Sequence, residues 1–401
     1  MDAIYYQPLA QGRSKYTSKV NPAAVLFGSC FPSDLTGDGP RPPPNRQGAI
    51  LPMRGTQVKS GTSLRRVQLI GDLNEFLLRM RLPSVDGMLY DAVTVDETLE
   101  VVGRIMFTAN RSLHDFTETI NAVVSMNRRL RKQLTLSWDV ADSWSWAEPS
   151  TPRLAMPEDV LYCVVLIALL NGMPFAGFFF WLCFECMLRP SEALVLRRRH
   201  IKLPTDLGGR RGALFLMLLD TKTSRRGVAR IQYAKANSPL LIKLATLLLS
   251  SLDADALVFG VCMGTMRKRL EWCLQKVLLH TVGLGLGAFR GGGAIAHFEK
   301  YEDLPLTQWR GRWDTLQNMQ RYIQEASVED AFIEAPPEAA TRVRALLSRR
   351  SWILNRSFLL LSNKVVPKAW PRMFSSFCRF DVFQVGPVED EADRESQPTG
   401  R

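Results

Sequence analysis

The sequence is poor in histidine. Only His114, His200, His280 and His297 occur in 401 residues, and no two stand at ligand spacing. That argues against a metal centre built from imidazoles, and no metal or other cofactor is expected. Cysteine is scarce as well: seven residues, an odd number with no framework spacing, fit a reducing intracellular compartment better than secretion. Cys183 and Cys186 form a C-x-x-C, but inside the apolar run FWLCFECML, with no second pair and no histidine nearby. They read as buried core thiols. The N-terminal stretch MDAIYYQPLAQGRSKY lacks an apolar h-region, so no signal peptide is expected. Long unbroken apolar runs are missing too. The stretch between Asp159 and Glu185 carries no charge and is long enough on paper to span a bilayer. Asn171, Gly172, Pro174 and Gly177 interrupt it, so two buried helices joined by a turn are expected, and no membrane partner.

Acidic residues are the minority charge: 39 against 51 Lys and Arg, a formal net charge of +12. Part of the acid, Glu389, Asp390, Glu391, Asp393 and Glu395, sits in the tail, so the rest of the chain is more basic still. That excess favours a polyanionic partner, nucleic acid first. Apolar residues at 46% and charged residues at 22% give the balance of a globular protein, and the length fits two domains with tails.

Residues 1–60 read as a flexible leader, because Pro40, Pro42, Pro43 and Pro44 with polar spacers cannot build a core. Residues 61–148 read as an all-helical domain. Apolar positions recur three and four apart in VQLIGDLNEFLLRMRL and from Asp96 to Leu134, and the segment carries the basic cluster Arg128, Arg129, Arg131 and Lys132. Pro149 and Pro152 mark a linker over 149–156. A second domain is expected over 157–335, helical through Leu196. Short strands follow at HIKL, GALFLMLLD and VARIQYA, the last two joined as a hairpin by the basic turn TKTSRRG. Helices resume at SPLLIKLATLLLSSL and GTMRKRLEWCLQKVLLH, and Phe289 to Ala326 reads as helical with one break near Gly311. Residues 336–401 read as a short helix, PEAATRVRALLSRR, and a disordered acidic tail.

Four pieces of the second domain bear on chemistry. Arg189 and Glu192 stand where the apolar run ends; taken alone, a charge at such a boundary is usually a solvated cap. Lys222 sits in the hairpin turn, where a lone lysine is normally just exposed. Arg290 precedes three glycines in GLGAFRGGGAIAHF; this run lacks the Lys-Ser/Thr ending of a phosphate-binding loop and reads as a place of close helix packing. Trp313 and Tyr322 lie in QWRGRWDTLQNMQRYIQEA, each by default a partly buried aromatic.

Together these pieces resemble the tyrosine recombinase (phage integrase) family, as a divergent eukaryotic-type member. LRPSEAL looks like that family's first arginine box. It is followed by a β-hairpin lysine, a second arginine, a tryptophan twenty-three positions later at 313, and a tyrosine nine further on at 322. The resemblance covers 157–330 well and the 63–146 region more loosely. It implies a mainly α fold with a small antiparallel sheet, in two domains: a helical core-binding domain and an integrase-like catalytic domain.

By that resemblance, Arg189 and Arg290 clamp the phosphate oxygens bidentately and stabilise the transition state without metal or ATP. Tyr322 attacks phosphorus to give a covalent 3′-phosphotyrosine, and the cationic clamp has to help ionise its phenol. Lys222 protonates the departing 5′-oxygen, Trp313 donates its indole N–H to a phosphate oxygen, and Glu192 orients an arginine. Double-stranded DNA is the partner, held through the 128–132 cluster together with Arg225 and Arg226, and the family implies a homotetramer on two DNA sites. No small-molecule substrate is expected; the compartment is the nucleus if the source is eukaryotic. RVRALLSRR is a candidate for a helix exchanged between subunits, and a mobile-element origin is expected.

One position departs from the family pattern. Where the family places a histidine three residues before its second arginine, this sequence has Gly287. Two alternatives follow: a catalytically impaired DNA-binding derivative, or a type IB topoisomerase-like nickase.

Overall fold

The computed structural model describes residues 60–149, 154–209, 211–219, 221, 231–320, 322–323 and 332–375. Two compact units divide at Pro152 and Arg153. The fold is mainly α-helical, with a small antiparallel sheet in the second unit.

The first unit is built from α1 (Ser60–Arg79), α2 (Val85–Met88), α3 (Ala92–Thr108), α4 (Leu113–Met126), a 3-10 turn (Arg128–Lys132) and α5 (Thr135–Ala147). Asp91 starts α3 by accepting the N–H groups of Val93 and Thr94 at 3.1 and 3.3 Å, which satisfies donors no helical carbonyl can reach. The start of α5 is capped from another helix. The buried Asp96 carboxylate of α3 accepts the N–H of Leu136 at 2.9 Å and of Ser137 at 2.8 Å. Leu77, Leu99, Phe116, Ile120 and Leu130 fill the core, and Phe116 stacks on Trp144 at 6.0 Å. In the 3-10 turn Leu130 is buried, while Arg128, Arg129, Arg131 and Lys132 are exposed.

In the second unit, α6 (Glu158–Leu170) and α7 (Pro174–Glu185) are buried on nearly every side, which is why their shared run holds no charge. Gly172, at φ +68°, turns the chain between them. Among the described residues no helix is long and apolar enough to cross a membrane. Cys183 and Cys186 are buried here; burial drives the Cys183 thiol well above its usual range and Cys186 up to about 12, so both stay protonated core groups.

After α8 (Pro190–Leu194) come β1 (Ile201–Lys202), β2 (Leu214–Leu219) and β3 (Ile231–Ala236), paired antiparallel in that order. The β2–β3 register runs from Leu214 opposite Ala236 to Leu219 opposite Ile231. Lys222, Arg225 and Arg226 lie outside the described residues. The arginine run before β1 is engaged within the fold. Arg198 pairs with Asp206 at 3.0 Å and donates to the carbonyl of Ile201 at 2.8 Å, and Arg199 pairs with Asp255 at 2.5 Å.

The remaining helices are α9 (Pro239–Leu249), α10 (Met263–Lys276), α11 (Ala288–Tyr301), α12 (Leu304–Gly311), α13 (Leu316–Gln320), α14 (Pro337–Leu347), α15 (Arg350–Ser362) and α16 (Trp370–Ser375). Two points depart from the sequence expectation. The stretch from Phe289 breaks twice: at Glu302, left-handed at φ 48°, where Asp303 opens α12 by accepting the N–H of Leu306 at 2.8 Å, and after Gly311, at the left-handed Arg312. The second unit does not end near 335, since Val343, Ile353, Leu354, Phe358, Trp370 and Phe374 belong to its core. The RVRALLSRR helix packs within this chain, with Val343 and Leu346 in the core.

Candidate active site

The site begins where α7 ends. Met187 takes left-handed backbone at φ 47°, and its N–H donates to the carbonyl of Phe184 at 3.0 Å, so the chain turns sharply after Cys186. Arg189 is extended, as a residue before proline must be, and Pro190 occupies the first position of α8, where no amide hydrogen is needed. Glu192, one turn on, accepts the backbone N–H of Arg189 at 3.0 Å and its Nη1–H at 2.7 Å. The carboxylate is buried, whereas the Arg189 side chain stays 26% exposed.

Arg290 sits in the first turn of α11. That helix approaches its neighbours closely because it carries glycine. A Cβ on Gly292 would lie 2.0 Å from the Met156 carbonyl oxygen, and one on Gly293 2.0 Å from that of Phe184. The close-packing expectation for the glycine run therefore holds. Arg290 is 2% exposed; it donates through Nη1 to the carbonyl of Met187 and through Nη2 to that of Gly311 at 2.7 Å.

At the end of α12, Gly311 makes room for the Trp313 ring, which would lie 1.5 Å from a Cβ there. Arg312 follows with left-handed backbone at φ 59°, and its guanidinium returns beneath the end of α7. It donates to the carbonyls of Cys186 (3.2 Å) and Met187 (3.3 Å) and to Glu192 Oε2 at 3.0 Å. Trp313 is nearly buried, and Tyr322 is half-buried, its N–H donating to the carbonyl of Met319 at 2.7 Å. The two rings lie 5.3 Å apart, and Arg290 lies 4.5 Å from the Trp313 ring centre and 5.9 Å from that of Tyr322.

The cluster holds three guanidiniums, Arg189, Arg290 and Arg312, against one carboxylate. Burial works to raise the Glu192 carboxyl, but Arg312, Arg290 and Arg189 outweigh it and hold the group below its ordinary range. Burial, then the charges of Arg312 and Arg189, pull the Arg290 guanidinium down from its ordinary value, with Glu192 and Tyr322 opposing. Among the described residues Nε of Arg290, Nε of Arg312 and Nε1 of Trp313 have no acceptor. These are donors with nothing to donate to, beside excess positive charge. Such a place suits an anion with several acceptor oxygens.

Of the residues singled out from the sequence, Arg189, Glu192, Arg290, Trp313 and Tyr322 come together, and the hairpin lysine lies outside the described residues. Arg312 escaped sequence reasoning, although it stands directly before Trp313 in the Gly-Arg-Trp turn. A Cβ on Gly287, just ahead of α11, would meet open space. His297, further along α11, is engaged elsewhere, its Nδ1 lying 2.8 Å from the Thr307 hydroxyl.

No protein-family model matches the sequence, and no curated protein does. Among solved structures, the chain is similar to the XerH site-specific recombinase bound to difH substrate in a pre-cleavage complex. The TM-score is 0.45 at 15% identity, over 68% of this chain and 78% of that one. XerH bound to palindromic difH substrate, a post-cleavage complex, gives a TM-score of 0.39 at 13% identity, over 79% of this chain and 97% of that one. The XerA recombinase gives 0.36 at 12%, over 70% and 94%.

Proposed function

We propose that this protein is a DNA recombinase or integrase that cuts and rejoins strands through a covalent 3′-phosphotyrosine. The observation that carries this reading is the convergence of Arg290, Trp313 and Tyr322 within 6 Å, beside the turn of Arg189 and Glu192. A phosphodiester repels nucleophiles, and its transfer concentrates charge on the non-bridging oxygens. Fixed guanidinium donors aimed at those oxygens lower that barrier electrostatically. Arg189, the more exposed of the two, meets the phosphate first. The Tyr322 oxygen then attacks phosphorus as the 5′-oxygen leaves, taking a proton from Lys222 by the family's pattern. The phosphotyrosine keeps the energy of the broken ester, so religation to another strand needs no nucleotide cofactor. Arg129, Arg131 and Lys132 of the first unit engage further backbone phosphates.

Incubation with a nicked suicide duplex tests this. A covalent protein–DNA adduct that survives denaturation and is lost in Tyr322→Phe is the expected result; no adduct from the wild-type chain refutes catalysis.

A second reading is a DNA-binding derivative that no longer cuts. Gly287 stands where the family has a histidine, and both terminal nitrogens of Arg290 already donate to main-chain carbonyls. Tight duplex binding without adduct would select it.

A further inference from the structure

We propose that Arg312 is a positioning residue that acts through Glu192, supplying the counter-charge for that carboxylate so that Arg189 keeps both its aim and its charge for a bound phosphate. The inference rests on the recombinase reading above.

The two arginines on Glu192 differ in what they can reach. Arg189 has 26% of its side chain exposed; Arg312 has 2%. Arg312 therefore spends its terminal nitrogens on the carboxylate and on the carbonyls beneath it. It also uses both terminal nitrogens of its planar fork: Nη1 on the Cys186 carbonyl at 3.2 Å, Nη2 shared between Met187 at 3.3 Å and Glu192 at 3.0 Å. A lysine ammonium cannot span those acceptors from one point.

Electrostatics gives this pairing its consequence. A buried carboxylate with a single cationic partner draws that partner strongly, because little water screens the pair. Without Arg312, Glu192 would pair with Arg189 alone and cancel it, leaving Arg290 as the one unbalanced cation of the cluster. With Arg312, three cations face one anion, and the excess is available to a phosphate. The left-handed backbone at Arg312 adds a mechanical link. The side chain goes back to the α7–α8 turn while the next residue, Trp313, goes forward to Arg290, so one peptide ties the two arginine elements together.

The test compares full-length wild type, Arg312→Met, Arg312→Lys and the double variant Glu192→Gln/Arg312→Met, under single-turnover conditions on saturating nicked duplex, with duplex affinity measured in parallel. Arg312→Met should slow adduct formation by roughly 10-fold or more, as loss of transition-state charge stabilisation does, while affinity changes by less than about twofold. Arg312→Lys should remain slower than wild type. The double variant, which restores the charge balance without restoring the side chain, should regain most of the rate; a part played through packing alone gives no such recovery. A wild-type rate in Arg312→Met, or a double variant as slow as Arg312→Met, overturns the proposal. If Arg312→Met fails to fold, the double variant is compared with wild type directly. A rate within about threefold supports the proposal, and a loss beyond about tenfold overturns it.

If wild type itself forms no adduct, the recombinase reading fails, and the charge argument is decided by the melting shift produced by inorganic phosphate. A shift lost in Arg312→Met and regained in the double variant supports it; an equal shift in all three, or none, overturns it.

Discussion

The guanidinium of Arg290 lies 4.5 Å from the centre of the Trp313 ring, on the side of the molecule where α12 ends. A desolvated cation over an indole face gains on the order of 2 kcal/mol, so the ring both covers Arg290 and holds it. With Nη1 and Nη2 fixed on the carbonyls of Met187 and Gly311, the guanidinium plane has little freedom. A preorganised cation of this kind stabilises charge at the moment of reaction without first having to reorganise.

The glycine run of α11 makes the sharpest stability prediction. Gly292→Ala and Gly293→Ala should each destabilise the second unit by about 3 kcal/mol, because each new methyl meets a backbone carbonyl that cannot move aside. Gly287→Ala, facing open space in helical backbone, should change stability by less than about 0.5 kcal/mol. Urea unfolding of the three variants checks this, and equal midpoints would refute the packing account.

The same open space admits a larger side chain. Gly287→His should fold normally and raise the adduct rate by roughly 10-fold or more, since a positioned acid–base group contributes at least that much. Single-turnover kinetics on the nicked duplex reads the effect. An unchanged rate would mean that the cluster already works without an imidazole.

His297 gives the pH dependence a direction. Burial first, then the charges of Arg310 and Lys300, push its imidazole down to about 4, against the pull of Asp303. In the unfolded chain an imidazole titrates near ~6.5, so between those values the unfolded state takes up a proton that the folded state refuses. The stability contributed by neutral His297 is therefore complete above about 6.5 and is lost as pH falls toward about 4. In His297→Gln the drop in melting temperature between about pH 7 and about pH 4.5 should be smaller than in wild type. An identical drop in both proteins would exclude His297 as the source.

Salt dependence separates the basic clusters. Arg129→Ala, Arg131→Ala and Lys132→Ala should each flatten the slope of log affinity against log salt by roughly 0.9 for every phosphate left unneutralised, with little cost in stability. Arg198→Ala should leave the slope alone and destabilise the fold by about 2 kcal/mol, because its donors serve Asp206 and the carbonyls of Ile201 and Leu249. A slope change in Arg198→Ala would show that it also meets the duplex.

Periodicity made the helices of the first unit, the α6–α7 pair and the β2–β3 hairpin legible before any coordinates, since apolar spacing and turn residues act locally. Arg189, Glu192, Arg290, Trp313 and Tyr322 were legible only as a set, from their order and spacing. Arg312 was not. Its part depends on a left-handed turn that sends its side chain back to Glu192 and Cys186, far upstream in the chain, and no local pattern encodes such a return. The break at Glu302 did have a signal, in Asp303 followed closely by Pro305, but the apolar residues around it read as one helix. The helices beyond 335 were underestimated because arginine and proline dominate their start, while Ile353, Leu354 and Phe358 do the packing.

Gly172 faces the carbonyl of Pro367 so tightly that a methyl group there would lie 2.1 Å from its oxygen. The closing stretch of the described chain is thus clasped onto the hairpin of two apolar helices near the start of its unit, with Trp370 as the stud. Shortening the protein at residue 335 would unfasten that clasp and turn a sealed interior into a sticky surface. Expression trials should retain the segment through at least Phe374.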